Sequence, residues 1–436
     1  MDVTAQALET ALAQLSPHAR PADDGDIVAG VRPGFVVEPE SEEQVAAVLR
    51  YANESGLAVI PRGGGTQLTM GAPPHRADII LSMTRMNQII EYAPHDLTVT
   101  AQAGLRLADL QQALGEGHQW LALDPLLEAN ATLGGLISTN ATGARRLRHG
   151  GVRDQIIGVR VALADGTIAR GGGKVVKNVA GYDLPKLYTG ALGTLGVVLS
   201  ASFRLYPLAS ASATTVLTSE SLPTLTAVAS RIVGRQVTPT ALDIFSPEAN
   251  GAPYQLAARF ESGAPASIES QTRTVSTPPV TEGELTATTL SGADEARFWA
   301  DGAARWRTPL SPEDNTRATA TIKASLLLTE VAAWLAALEA ARAKGDVAAH
   351  WQAHVGHGII AARLTATPDA LAQTIKALRR AAIERRGSLV ITELPPALYG
   401  SVDPWGPIPA LAVMRRLKER FDPNGILNPG RFVGGI

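Results

Sequence analysis

Glycines and small polar residues cluster in three segments where the backbone itself could bind a ligand. One cluster runs from residue 171 to 198, and a triple glycine, Gly63 to Gly65, lies between Arg62 and Thr66. A third segment, residues 130–143, interleaves glycines with hydroxyl and amide side chains. A side chain at a glycine position would hold a ligand away from main-chain N–H groups. These segments therefore favour an extended dinucleotide bound by backbone amides.

Each segment alone has an ordinary structural explanation. A triple glycine can simply end a strand, and small residues in 130–143 can let a helix pack close to a sheet. A loop built only for turning would not need the polar groups of Thr132, Ser138 and Asn140. The chain contains no GxGxxG after a predicted strand and no GxxxxGK[ST], which disfavours a Rossmann domain and a nucleotide hydrolase.

The predicted elements place the triple glycine at a sheet edge. Residues 35–37 and 57–60 are apolar and predict strands, and between them Ser41 and Gln44 form a capping-box signature for a helix that ends at Gly56. This βαβ unit delivers Pro61 and the glycines to the end of the second strand. Further strands are predicted over residues 78–81 and 97–103, a helix over 107–114, and a hairpin from 156–164 and 167–170 around Asp165-Gly166.

The second half of the chain has a different pattern. Strands predicted over residues 319–325, 348–355 and 359–364 alternate with helices over 329–343 and 368–386. This order predicts an α+β domain with an antiparallel sheet. The Ser, Thr, Pro and Glu content of residues 272–289 predicts a surface loop, and a last helix is predicted over 408–421. The predicted divisions are 1–208, 209–405, and a tail, 406–436, that returns to the first domain.

Composition limits the classes of function. The chain has 436 residues, of which 45% are hydrophobic and 18% charged, enough for two sizeable cores. Its formal net charge is −2, so no global electrostatic attraction indicates nucleic acid as a partner. The absence of cysteine excludes disulfides, thiolate nucleophiles and any iron–sulfur cluster ligated by cysteines of this chain.

The amino-terminal segment predicts an amphipathic helix rather than a signal peptide, because acidic residues occur early and no apolar core region follows. No stretch approaches the ~20 apolar residues that a membrane-spanning helix requires. The sequence therefore predicts a cytoplasmic protein without direct membrane insertion. Peripheral attachment at the inner membrane through partners remains open.

Together and in this order, the three segments resemble the FAD-binding domain of the vanillyl-alcohol oxidase and p-cresol methylhydroxylase (PCMH-type) family, over roughly the first 210 residues. The sequences KVVKNVAGYDL and GALGTLGVV are similar to those of the branch that acts on 2-hydroxy acids, namely glycolate oxidase and D-lactate dehydrogenase subunits. The resemblance implies an α+β protein, with a two-subdomain PCMH-type FAD-binding domain followed by an α+β domain with an antiparallel sheet.

The resemblance also implies which residues bind FAD. The diphosphate would lie on the triple glycine and Thr66, the second loop would contribute small polar residues, and a segment near residue 195 would hold the adenine and ribose. The family's carboxy-terminal NPG is matched from Asn428. The implied set is Arg62, Gly63, Gly64, Gly65, Thr66, Gln67, Pro125, Thr132, Gly134, Gly135, Ser138, Asn140, Gly193, Leu195, Gly196, Val198 and Asn428. Lys177 and Asn178 are interpreted either as part of a solvated loop or as residues that fix a loop over the flavin.

Family members with covalent flavin often carry His or Cys in these loops. Here Thr66 and Gln67 occupy the corresponding positions and the chain has no cysteine. The resemblance therefore implies non-covalent FAD.

The histidines determine how much catalysis the second domain can perform. On a helix, His350, His354 and His357 would face one side as metal ligands, but residues 347–355 predict a strand and 356–358 a turn. Catalytic relatives in the hydroxy-acid branch resemble one another around GHxGDGNxH and EHG segments that bind a divalent metal. Of these, His354 and Gly356 are retained, and Leu394 replaces the EHG histidine. We therefore expect no metal site and a structural His354.

The resemblance implies that FAD binding by this chain and catalysis by another subunit are separate roles in one complex. This chain would bind FAD within a complex that oxidises a small 2-hydroxy acid such as glycolate, alongside a catalytic FAD-containing paralogous subunit and an iron–sulfur subunit. One alternative is a self-sufficient FAD-dependent dehydrogenase, with His357, Tyr182 or Arg145 contacting the substrate. The other is a structural subunit with a degenerate FAD pocket. The sequence alone identifies no catalytic residue.

Overall fold

The computed structural model describes residues 3–126, 128–174, 181–234, 236–247, 252–277, 285–306, 316–345 and 347–436. The α-helices are α1 Val3–Leu15, α2 Glu42–Ser55, α3 Leu107–Gly115, α4 Leu133–Thr139, α5 Arg146–His149, α6 Val152–Gln155, α7 Leu184–Tyr188, α8 Leu222–Val233, α9 Pro265–Ser276, α10 Gly292–Ala304, α11 Val331–Ala343, α12 Pro368–Glu384 and α13 Leu411–Phe421. The strands are β1 Ala19–Pro21, β2 Phe35–Val37, β3 Val59–Arg62, β4 Ile79–Ser82, β5 Ile89–Ala93, β6 Thr98–Gln102, β7 Gln119–Trp120, β8 Ile156–Ala162, β9 Ile168–Gly172, β10 Val197–Arg204, β11 Tyr206–Pro207, β12 Ala211–Ser219, β13 Ala241–Phe245, β14 Tyr254–Ser262, β15 Thr286–Ser291, β16 Ala318–Ser325, β17 Ala348–His354, β18 Ile359–Ala366 and β19 Ser388–Glu393.

The chain divides into two units, each with contributions from separated stretches of sequence. The first consists of residues 1–141, 151–208 and 407–436, and the second of residues 142–150 and 209–406. The short segment 142–150, which contains three arginines, lies in the sequence between two glycine-containing parts of the first unit. The tail 407–436 belongs to the first unit.

The first unit contains two principal sheets. In one, β2, β4 and β3 run parallel and β1 adds an antiparallel edge. The crossover from β2 to β3 is α2, which begins where the Ser41 side chain accepts a hydrogen bond from the Gln44 amide and ends at Gly56 in the left-handed region. The other sheet has the order β5-β6-β10-β8-β9 and is antiparallel. The predicted βαβ unit and the hairpin after residue 156 are confirmed.

The second unit is an antiparallel sheet with helices on its apolar face. Its strand order is β15-β12-β14-β13-β17-β18-β16-β19. Alternate residues, among them Leu256, Ile322 and Trp351, are fully buried in one core with α8, α11 and α12. The other face carries polar and charged side chains, including Asp243, His354 and Lys323 on β13, β17 and β16. The predicted α+β domain with an antiparallel sheet is confirmed.

Two sequence-based expectations need correction. Residues 272–289 do not form one surface loop, because α9 extends to Ser276 and β15 begins at Thr286. Ile268, Thr272 and Val275 recur on one buried face of α9, and β15 pairs with β12, so packing outweighs the polar composition. Within 130–143 the chain forms α4 rather than a continuous loop.

Candidate functional site

The first unit contains a cavity lined by the glycine-rich segments. The segments converge from four places: the end of β3, helix α4, the approach to β10, and the carboxy-terminal tail. The lining residues are Pro61, Arg62, Gly63, Gly64, Gly65, Thr66, Gln67, Leu68, Met83, Ala103, Thr132, Gly134, Gly135, Ser138, Thr139, Leu192, Gly193, Gly196, Val197, Val198, Asn428 and Arg431. We call this space the glycine-lined cavity.

The triple glycine follows β3 and presents main-chain amides to the cavity. Within the described chain, the N–H groups from Gly63 to Gln67 donate no hydrogen bond to a protein acceptor, whereas the next amide, Leu68 N–H, donates to the Gly65 carbonyl. Gly65 has φ +75°, in the region that favours glycine. Consecutive amides of this kind can bind an anion without a cationic side chain.

Close approach explains why Gly64 carries no side chain. A Cβ built on Gly64 would lie 1.6 Å from the Asn130 carbonyl oxygen. Residues 130–132 therefore pack directly against the triple glycine, and this packing brings the first two glycine-containing segments together.

Helix α4 serves both packing and lining. The Thr132 side chain caps it by accepting a hydrogen bond from the Gly135 amide at 3.3 Å. A Cβ on Gly134 would lie 2.9 Å from Ala103 Cβ, so Gly134 allows the helix to approach β6. The packing explanation for this segment is thus correct at Gly134, while Gly135, Ser138 and Thr139 also line the cavity.

The carboxy-terminal tail forms part of the cavity wall. The Asn428 amide donates to the Val59 carbonyl at 2.9 Å, and its side-chain Nδ2 donates to the Leu192 carbonyl at 2.5 Å. Arg431 is 2% exposed and donates to the carbonyls of Leu68 and Met70. The tail therefore joins the segment after β3 to the segment before β10.

Arg62 is paired within the protein. Its Nη1 donates to Asp26 Oδ1 at 2.7 Å, and Arg20 forms two further hydrogen bonds with the same carboxylate. Burial alone would raise the pKa of Asp26, but the hydrogen bonds from Arg20, the Asp23 amide and Arg62 hold that pKa well below its usual range. The carboxylate thus fixes the Arg62 guanidinium at the cavity margin.

The structure brings most of the sequence-predicted residues to this cavity. All of them line it except Pro125, Asn140 and Leu195. Pro125 is buried elsewhere, Leu195 packs in the hydrophobic core, and Asn140 ends α4, with its buried Oδ1 lacking a protein partner among the described residues. Sequence reasoning missed Pro61, Leu68, Met83, Ala103, Thr139, Leu192, Val197 and Arg431. Thr139 and Leu192 directly adjoin the predicted Ser138 and Gly193, whereas nothing local marks Met83.

The chemistry of the lining fits a dinucleotide. Its residues include arginines but neither Asp nor Glu, so no carboxylate opposes a diphosphate. Apolar side chains such as Met83 and Val198 line other parts of the wall and suit an aromatic ring system. The lining also contains neither His nor Cys. It therefore offers no nucleophile of the types that bind flavin covalently.

A second cluster lies on the polar face of the sheet in the other unit. His354 Nδ1 lies 2.9 Å from Asp243 Oδ1, and the two side chains are buried. The His357 ring stacks on His354 at 5.0 Å, and neither nitrogen of His357 has a hydrogen-bond partner within the described residues. Burial, together with His354 and Arg146, lowers the pKa of His357 to about 3. The imidazole of His357 is therefore neutral at pH 7.

Positive charge accompanies these histidines. Lys323 extends from the same sheet face of β16, and no carboxylate of the described chain forms an ion pair with it. Burial lowers the pKa of Lys323, and the nearby Arg146 lowers it further. We call Lys323, Arg146, His354 and His357 the second-unit cluster. It could bind a small anion.

The other residues singled out from the sequence have ordinary surroundings. Arg145 forms a bidentate ion pair with Glu261, and Tyr182 is 90% exposed. Lys177 and Asn178 lie outside the described residues. Across the described ranges, no group of three or more His, Cys, Asp or Glu side chains is arranged to hold a metal ion. Nor does any described helix have the length and apolarity needed to cross a bilayer.

Two family models match the chain. Residues 33–172 match the FAD binding domain, and residues 407–432 match the C-terminal domain of FAD linked oxidases. The first match contains the triple glycine and α4, and the second contains Lys418, Asp422 and Asn428. Both matched regions therefore contribute to the glycine-lined cavity or its support.

Three curated relatives each match less than half of the chain. Glycolate oxidase subunit GlcD of Bacillus subtilis is 35% identical over 48% of this chain and 45% of its own length. D-lactate dehydrogenase of Archaeoglobus fulgidus is 40% identical over 39% and 38%, and D-2-hydroxyglutarate dehydrogenase of Stutzerimonas stutzeri is 36% identical over 40% and 37%. The chain thus spans less than half the length of each of these relatives.

A solved structure extends the similarity of fold. Alkyldihydroxyacetonephosphate synthase superimposes with a TM-score of 0.72 at 17% identity, covering 92% of this chain and 78% of that one. At 17% identity, this similarity shows only that the two proteins share a fold. It covers nearly the whole chain, including the part that the curated relatives do not match.

Proposed function

Because the chain carries the FAD-binding domain and the C-terminal domain of the FAD-linked oxidases, we propose that it is the FAD-binding subunit, of the E type, of a complex that oxidises glycolate or a similar 2-hydroxy acid. The observation that carries the proposal is the glycine-lined cavity, whose amides and lining residues come from the matched segments. The names of the relatives, which include glycolate oxidase and D-lactate dehydrogenase, support a 2-hydroxy acid as substrate.

FAD would be held without a covalent bond. The amides from Gly63 to Gln67 would bind the diphosphate, and Ser138, Gly196 and Val198 would contact other parts of the cofactor. Bound FAD supplies the two-electron acceptor that amino acid side chains lack. The protein contributes a shaped wall and fixed dipoles, and Asp26 keeps Arg62 in place at the margin.

Electron transfer beyond the flavin is proposed to occur on partner subunits. The chain has no cysteine, so an iron–sulfur cluster ligated by cysteines would lie on another subunit. The second unit has His357, Ile359 and Ala361 in place of the aspartate, asparagine and second histidine of the GHxGDGNxH pattern of catalytic relatives, and His354 is bound to Asp243. These departures support a catalytic FAD-containing paralogue and an iron–sulfur subunit as partners.

A second candidate is a self-sufficient FAD-dependent 2-hydroxy-acid dehydrogenase. The second-unit cluster favours it, because Lys323 and Arg146 could bind a carboxylate. His357, a neutral imidazole in the same cluster, could contact the substrate. Arg145 and Tyr182 contribute less to this alternative, since Arg145 pairs with Glu261 and Tyr182 is exposed.

One spectroscopic experiment separates these candidates. The purified chain is reconstituted with FAD, and the flavin band at about 450 nm is followed anaerobically as glycolate or D-lactate is added. We expect the flavin to remain oxidised until the partner subunits are added. Bleaching by the isolated chain, abolished in His357→Gln, would replace our proposal with the self-sufficient enzyme. Failure of the chain to bind FAD would leave only the structural subunit.

A further inference from the structure

The carboxy-terminal helix contains a buried lysine whose ammonium group binds two separate parts of the first unit. Lys418 Nζ donates to the Thr194 carbonyl at 3.0 Å, to the Leu427 carbonyl at 2.7 Å and to Asp422 Oδ2 at 2.6 Å. The residue is 8% exposed. An ammonium group has three protons to donate, and each has an acceptor here.

Asp422 is equally well satisfied. Its Oδ1 accepts a hydrogen bond from the Ile426 amide at 3.0 Å, and its Oδ2 accepts one from the Leu427 amide at 2.8 Å. These bonds shape the turn that carries residues 423–427 away from α13. We call Lys418, Asp422 and the carbonyls of Thr194 and Leu427 the Lys418 cluster.

The cluster joins the walls of the glycine-lined cavity. Thr194 lies between Gly193 and Gly196, which line the cavity. Leu427 bridges to Val59 on β3, and β3 leads into the triple glycine. The neighbouring Asn428 hydrogen-bonds Val59 and Leu192. One ammonium group thereby connects the segment before β10 to the part of the tail, at Leu427, that pairs with β3.

We propose that Lys418, held by Asp422, is a positioning residue for the flavin cofactor: it sets the distance between the 193–198 wall and the triple-glycine wall of the cavity. The inference rests on the proposed binding of FAD in that cavity. It assigns Lys418 no contact with the cofactor. A helix that needed only an apolar contact surface would be better served by leucine at this position, because removing an ammonium group from water is costly even when it is paired.

The test compares the affinity for FAD with the stability of the apoprotein. Lys418→Met removes the ammonium but keeps an unbranched side chain, and Asp422→Asn is a second variant of nearly unchanged shape that weakens the same cluster. Arg416→Met is the matched control, because Arg416 is exposed on the same helix. We expect both cluster variants to weaken FAD binding at least ~30-fold, because displacement of the 193–198 wall spoils the fit of the cavity to the cofactor. The control should stay within about threefold.

The spectra of bound FAD also show whether the cofactor has changed its position in the cavity. We expect the visible circular dichroism and the fluorescence of FAD bound to the cluster variants to differ from wild type when the cofactor is saturating. A purely structural lysine would lower the unfolding midpoint of the apoprotein and leave the dissociation constant and these spectra unchanged, which would overturn the inference. If Lys418→Met does not fold, Asp422→Asn decides the question by the same measurements. A wild-type chain that binds no FAD would refute the proposed function itself, which is a separate result.

Discussion

The α-carbon of Gly64 lies so close to the main chain at Asn130 that a Cβ on Gly64 would be 1.6 Å from the Asn130 carbonyl oxygen. Real Cβ atoms do not approach a carbonyl so closely, so any side chain at position 64 must push the two segments apart. Because the first segment follows β3 and the second leads into α4, this contact fixes one corner of the glycine-lined cavity.

Gly64→Ala should therefore abolish FAD binding and destabilise the first unit. Backbone cannot move aside as a flexible side chain can, so we expect a loss of roughly 2–3 kcal/mol in the free energy of unfolding. Isothermal titration with FAD and urea denaturation of the apoprotein measure the two effects. Gly115→Ala is the control, since a Cβ there meets nothing within 4 Å. It should leave the FAD affinity unchanged and raise the free energy of unfolding by about 0.4–1 kcal/mol, because alanine is favoured over glycine in a helix. Wild-type affinity in Gly64→Ala would contradict the described packing.

The amino-terminal cap of α4 can be tested separately. Thr132→Val keeps the shape of the side chain but removes the hydroxyl that accepts from the Gly135 amide, whereas Thr132→Ser retains it. We expect the valine variant to lose about 1 kcal/mol of stability, as measured for other helix caps, and the serine variant to lose less. Equal thermal midpoints for the two variants would show that the hydroxyl contributes nothing to the helix.

The buried carboxylate of Asp26 should be important for stability. Asp26→Asn leaves Arg20 and Arg62 without their shared anion, and we expect a loss of about 3 kcal/mol. Because the pKa of Asp26 is lowered in the folded state, this stabilisation is present above the ordinary Asp pKa of 3.8 and disappears as pH falls below that value. Denaturation between pH 2 and 7 measures it. Asp24→Asn, whose side chain is 87% exposed, should differ little from wild type.

His350 should make the second unit sensitive to mild acid. Burial, with the nearby Arg305 and Arg363, lowers the pKa of His350 from 6.5 to about 4. Between these values the unfolded chain binds the proton and the folded chain does not, so stability should fall as pH decreases from 6.5 towards 4, by at most about 3 kcal/mol from this residue. His350→Gln should flatten the stability curve in this range. His95 is exposed, so His95→Gln should leave the slope of stability against pH as it is in the wild type. If His350→Gln also left this slope unchanged, His350 would not be a source of the acid sensitivity.

The cofactor should dissociate intact when the protein unfolds. No cavity-lining residue is His or Cys, so acid precipitation should leave yellow, free FAD in the supernatant and a colourless pellet. Flavin that remained with the precipitated chain after washing would require a covalent bond to a residue outside the lining.

Local patterns predicted much of the architecture. Ser41 and Gly56 marked the ends of α2, and the Asp165-Gly166 turn marked the hairpin of β8 and β9, because capping and turn chemistry depend on neighbouring residues. Predicted strand ends moved by one or two residues, as in β3, which begins at Val59. Strand β15 was missed because its exposed, threonine-rich residues lack apolar alternation and gain their order from pairing with β12.

The site was only partly visible in the sequence. Glycines at 63–65, 193 and 196 carry a recognisable pattern, since close backbone approach allows few other residues. Met83 and Ala103 line the cavity only because their strands end there, and their side chains have no signature of their own. The role of Lys418 was not predicted from the sequence, because its acceptors at Thr194 and Leu427 come together only in the folded chain.

The order of the chain bears on when the cofactor can bind during protein synthesis. Asn428, which completes the cavity wall beside Val59 and Leu192, is translated after the whole of the 209–406 unit. While the ribosome is still making that unit, β3 lacks the tail residues Leu427 and Asn428 that pair with Val59. A nascent chain stalled before residue 426 would therefore contain the triple glycine but lack this part of the cavity wall.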